Sequence, residues 1–99
     1  MNLSKILRSR TPEQKIESLN GVIKRVKEEI ALLRKENSSL SKTIDETSSY
    51  KGPISEKDRS RYISLDVKAF EVNITKLNQL HKRLKELTAE RAELEEKLK

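Results

Sequence analysis

Read in alternating steps of three and four, residues 16–47 run Ile16, Leu19, Ile23, Val26, Ile30, Leu33, Asn37, Leu40, Ile44 and Thr47 without a missed step. An unbroken 3,4 repeat over more than four heptads is the signature of a coiled-coil seam. A single amphipathic helix on a globular core needs no such strict period. With Ile16 at heptad position a, the a positions carry Ile, Ile, Ile, Asn and Ile, and the d positions carry Leu, Val, Leu, Leu and Thr. No other stretch of the chain narrows the possible folds so far.

The seam helix starts sharply. Thr11 is placed to cap, Pro12 suits a first helical position, and Gln14 can close a capping box. The expected helix covers about 12–48 and weakens through 43–49, where Thr and Ser compete for backbone hydrogen bonds. Gly52 and Pro53 mark the one clear break, a bend over 49–54. Ser55 then reads as the cap of a second helix over about 55–98, with acids in its first turn. Its inner stripe reads Ile63, Val67, Phe70, Ile74, Leu77, Leu80, Leu84, Leu87, Arg91, Leu94 and Leu98. The step from Leu77 to Leu80 is three where four is due, a stammer that would overwind the coil.

Two long helices joined by a short turn imply an all-α fold, an antiparallel two-helix coiled-coil hairpin spanning residues 12–99, preceded by a leader over 1–11. The expected seam residues are Ile23, Ile30, Leu33, Asn37 and Leu40 against Val67, Phe70, Ile74 and Leu77. Folding about the bend would set Leu40 near Ile63, Leu33 near Phe70, Ile30 near Ile74, Ile16 near Leu87, and Asn37 near Asp66 and Val67. Leu94 and Leu98 would then overshoot the first helix, with Leu3, Ile6 and Leu7 of the leader as their available cover.

Composition closes off other classes. Of the 99 residues 38% are charged and 3% aromatic, too polar for a thick globular core. The absence of Cys removes disulfides and thiolate metal sites. No run approaches the ~20 apolar residues of a membrane span, and Met1–Arg10 lacks a secretory apolar stretch, so a cytoplasmic chain is expected. The net charge of +6 is unevenly spread, with the long helices nearly neutral and the excess at the leader and the bend. His81 is the single histidine, and no partner for it stands at metal-ligand spacing. No phosphate loop or nucleophile motif is present, so neither an enzyme nor a cofactor is expected.

Three surfaces are candidates for binding. The leader places Leu3, Ile6 and Leu7 at helical spacing beside Lys5, Arg8 and Arg10, a basic amphipathic turn of the kind that rests on anionic membranes. The second helix carries a further apolar line, Tyr62, Leu65, Ala69 and Val72, offset from its inner stripe. A two-helix hairpin buries one stripe per helix, so this line is expected at the surface as a self-association face, with Arg59 and Arg61 at its rim. Arg59, Arg61, Lys82, Arg83 and Lys85 could contact phosphates, although acids are interleaved with them and no recognition motif accompanies them. Asn37 at an a position also fits a parallel zipper, which requires the two helices to separate.

The layout of a basic apolar leader, then Arg10-Thr11-Pro12-Glu13 opening a long helix, a bend and a second long helix, resembles the amino-terminal half of one branch of the ESCRT-III subunits. In actual residues the likeness lies around Lys5–Gln14. The first helix here is electrically neutral where that family's is basic, and the chain stops where the family continues into an acidic tail. Leu80-His81-Lys82-Arg83-Leu84-Lys85-Glu86-Leu87 matches the ATPase-recruiting core of that tail, yet Leu80, Leu84 and Leu87 are required by the seam, so the match reads as chance. The resemblance implies a membrane-remodelling assembly subunit held peripherally at a membrane. The expected function is a non-catalytic scaffold that forms a homo-oligomer or binds partner helices. The alternative is a parallel coiled-coil dimer serving as a nucleic-acid-binding or adaptor protein.

Overall fold

The computed structural model describes residues 11–99. It consists of two helices, α1 (Pro12–Ser49) and α2 (Glu56–Lys97), packed antiparallel along most of their length in a hairpin 67 Å long. Among the described residues there is no strand, and no helix is long and apolar enough to cross a membrane.

The helix α1 begins on a complete capping box. Gln14 N–H donates to Thr11 Oγ1 at 3.2 Å and Thr11 N–H donates to Gln14 Oε1 at 3.1 Å. Its last turns show why it ends. Thr43, Thr47 and Ser49 each turn a hydroxyl back onto the carbonyl four residues earlier, at 3.0, 2.9 and 2.7 Å, and Tyr50 then leaves the helix in an extended conformation. Gly52 has no positive φ, so it does not end α1 in the left-handed way expected of it. Glycine is accommodated there because the Tyr50 ring lies where a Cβ would stand. On the far side of the bend, Ser55 Oγ accepts from Asp58 N–H at 3.1 Å and opens α2.

The seam of α1 buries Ile23, Val26, Ile30 and Asn37, with Ile16, Leu19, Leu33, Leu40, Ile44 and Thr47 half-buried between and beyond them. On α2 the covered positions are Arg59, Ile63, Asp66, Phe70, Asn73, Leu77, Leu80, Leu84, Leu87, Arg91 and Leu94, in alternating steps of four and three throughout, with Val67 half-buried beside them. The stammer is therefore absent. Asn73, 5% exposed, holds the seam position expected of Ile74, which is 41% exposed at the margin. The core is the cluster of Val26, Ile30 and Leu77, against which Val22, Leu33, Leu80, Leu84 and Leu87 pack.

The two helices also meet one heptad away from the expected register. Asn37 faces Asn73 rather than Asp66, and Asn20 meets Arg91. A slide of seven residues keeps every a and d position on the seam, so the hydrophobic pattern is indifferent to it. The course of the bend agrees with the observed register. Residues 50–55 run on past the end of α1 before α2 starts, so Arg59, not Ser55, stands level with that end and reaches Tyr50 O at 2.5 Å. At the opposite end the slide draws α2 back over α1. Leu94 is half-buried at the level of Ile16, not left beyond the first helix, while Leu98 remains exposed.

Candidate interaction surface

A two-helix hairpin has a single seam and two broad outer faces, and the polarity of those faces determines what it can bind. One face is marked on α2 by Tyr62, Leu65, Ala69 and Val72. The three larger side chains are 52%, 57% and 52% exposed, and Ala69 is exposed as well. Along the same helical line the apolar run gives way to Lys76, Gln79 and Arg83. Those three residues border a shallow groove whose α1 wall is formed by Glu29, Leu32 and Leu33, with Leu32 projecting from its lip at 66% exposure. Next to the bend, Tyr62 shares a smaller recess with Glu46, Thr47, Tyr50 and Ile54. An apolar strip thus runs from the bend to mid-hairpin, and a lone leucine stands across the groove from its charged continuation.

The opposite face is polar. Arg34, Ser38, Ser41 and Asp45 surround a recess that exposes the edge of Phe70 and Ile74. Here Arg34 Nη2 lies 3.3 Å from His81 Nε2, so the single histidine is an exposed partner of an arginine on the other helix. Among the described residues no group of three or more His, Asp or Glu side chains could hold a metal ion.

The arginines at the bend differ in role. Arg59 does not form a rim to the apolar strip. Its guanidinium bridges Tyr50 O and Glu56 Oε1, the latter at 2.7 Å, with the side chain 22% exposed. It therefore brings a cation to the C-terminal end of α1, which has no basic residue in its own last turn. Arg61 is exposed beside Tyr62. Leu3, Lys5, Ile6, Leu7, Arg8 and Arg10 lie outside the described residues.

Sequence reasoning missed Asn73, Leu32 and Tyr50. For Asn73 a signal existed, because the 4,3 alternation from Arg59 to Leu94 is unbroken once Asp66 and Asn73 are admitted to it. For Leu32 none did, since it belongs to no stripe of its own. A scan against protein-family models, a search of curated proteins and a search of solved structures each find no match to this chain.

Proposed function

We propose that this chain is a non-catalytic helical scaffold that associates with further copies of itself through the apolar strip of α2. The observation that carries this reading is the exposure of Tyr62, Leu65, Ala69 and Val72 in a hairpin whose seam is already closed. Single exposed apolar residues are ordinary on protein surfaces, but four on one helical line, confined to one half of one face, form a patch. The neutral long helices offer little electrostatic opposition to lateral packing.

Sedimentation across a concentration series tests the proposal. Wild-type protein should associate, and Leu65→Asp with Val72→Asp should remain monomeric, with helicity and melting of the isolated hairpin nearly unchanged. A double variant that associates like wild type would place the interface elsewhere.

The ESCRT-III resemblance extends the reading to a membrane, where associated copies would set more than one leader on anionic headgroups at once. One basic amphipathic turn binds too weakly alone, so attachment through Leu3, Ile6, Leu7, Lys5, Arg8 and Arg10 depends on avidity. Flotation with anionic vesicles, before and after deletion of residues 2–10, tests that extension separately. Undiminished flotation of the deleted chain would remove it.

A further inference from the structure

The apolar strip has charged ends of opposite sign. The 3,4 spacing of Tyr62, Leu65, Ala69 and Val72 continues one step in each direction, to Asp58 towards the bend and to Lys76 towards mid-hairpin, both exposed. The ion pairs of the described residues are local ones, Arg59–Glu56, Arg91–Glu95 and Lys99–Glu96, and include neither Asp58 nor Lys76.

The leader of the same chain cannot cover this strip. Val72 stands beside Asn73, which pairs with Asn37, 26 residues along α1 from Thr11, or ~39 Å at helical rise. Ten residues span at most ~36 Å even when fully extended. The opposite charges at the two ends of the strip point to its occupant.

We infer that it is the α2 strip of a second copy, packed antiparallel about a two-fold axis that passes between Leu65 and Ala69. This rests on the self-association reading and adds to it a direction and a closure. Antiparallel pairing sets Tyr62 on Val72, Leu65 on Ala69 and Asp58 on Lys76 of the other copy, each contact occurring twice. Every layer then joins a larger residue to a smaller one, and each end joins opposite charges. Parallel pairing would stack Tyr62 on itself, leave Ala69 facing Ala69, and set Asp58 on Asp58 and Lys76 on Lys76. Its one favourable cross-pair, Arg61 to the neighbour's Asp66, would need a carboxylate that the hairpin seam already half-buries. The antiparallel arrangement places Lys68 beside its twin near the axis, but at a solvated rim where a long side chain can swing clear.

A two-fold contact uses the same patch on both copies and leaves no copy of it open, so the product is a closed dimer and not a growing filament. The strip from Asp58 to Lys76 is ~27 Å long.

Charge exchange at the two ends tests the direction. Lys76→Glu alone and Asp58→Lys alone each set like charges together twice in the antiparallel dimer. Each should raise the dissociation constant by about fivefold or more in sedimentation at low salt. The double variant, Asp58→Lys with Lys76→Glu, restores both contacts and should return to near wild-type affinity. Circular dichroism on every variant guards against a change of fold at the start of α2. If Leu65→Asp with Val72→Asp abolishes association while the charge variants behave like wild type, the strip is the interface but the antiparallel two-fold is overturned. Growth beyond a dimer through the intact strip overturns the closure. If Leu65→Asp with Val72→Asp leaves association intact, the self-association reading through this strip fails, and the inference fails with it.

Discussion

Asn73 Nδ2 donates to Asn37 Oδ1 across 2.9 Å in the middle of the hairpin seam, with the two residues 5% and 6% exposed. Asn37 also points its own amide at Phe70 O, at a long 3.5 Å. The pair satisfies itself in this register and in no neighbouring one, because a slide of a heptad in either direction sets each amide against a different partner. A buried pair of amides that can bond each other only in one alignment contributes specificity more than stability.

The first prediction follows from that pairing. Asn37→Leu alone orphans the Asn73 amide and should destabilise the hairpin by about 1–3 kcal/mol in denaturant melts. Replacing both by Leu should leave stability at or above that of wild type, since the desolvation penalty disappears with the amides. The double variant should lose uniqueness of register instead, seen as more than one interhelical distance between spin labels. A double variant that keeps one sharp distance would show that the bend alone sets the alignment.

The register itself is open to cross-linking. Arg91 Nη1 donates to Asn20 Oδ1 at 2.9 Å, so cysteines at these two positions should be joined readily by a short bifunctional cross-linker. Cysteines replacing Asn20 and Leu84, the pair that the register expected from sequence would bring together, are displaced by one heptad, ~10 Å along the axis, and should not be. Preferential bonding of the second pair would overturn the observed alignment.

What the amino-acid pattern revealed and concealed can be seen in these residues. The architecture was legible because an apolar residue every 3.5 positions cannot be buried by anything but a partner helix, and the one Gly-Pro break supplies that partner from the same chain. Alignment was not legible, because a seven-residue slide preserves both faces, and what distinguishes the registers is the Asn37–Asn73 pair and how far residues 50–55 climb before α2 begins. Asn73 was concealed by its polarity. An apolar Ile74 one position on offered a plausible stripe at the cost of a stammer, and hydrophobicity favoured the wrong neighbour. The exposed strip of α2 was legible for the converse reason, since a second apolar line on a helix with one partner has nowhere to go.

That exchange of neighbours can be measured directly. Leu77, 8% exposed, belongs to the cluster with Val26 and Ile30, and Leu77→Ala should cost about 2–4 kcal/mol through lost burial and the cavity left behind. Ile74→Ala should cost less than about 1 kcal/mol, because much of that side chain is already in water. Equal losses in chemical denaturation would mean that Ile74 belongs to the core after all.

Arg59 offers the last test, and it concerns the bend. Its guanidinium donates to Tyr50 O and to Glu56 Oε1, tying the last carbonyls of α1 to the first turn of α2. Its Nε is buried without a partner among the described residues, so part of what the fork gains is offset by that desolvation. Removing the side chain should therefore act locally. Arg59→Ala is expected to lower global stability by about 1–2 kcal/mol, the range of a charge-assisted hydrogen bond to backbone. Its larger effect should appear in hydrogen exchange, where amides near the end of α1, through Thr47 to Tyr50, exchange faster while those around Val26 and Ile30 shift only by the global loss. Arg59→Lys should recover only part of the protection, because a single ammonium cannot span both acceptors as the planar fork does. Uniform acceleration along both helices would instead assign Arg59 to the seam as a whole, and unchanged exchange at Thr47 to Tyr50 would show that the bend holds its shape without it.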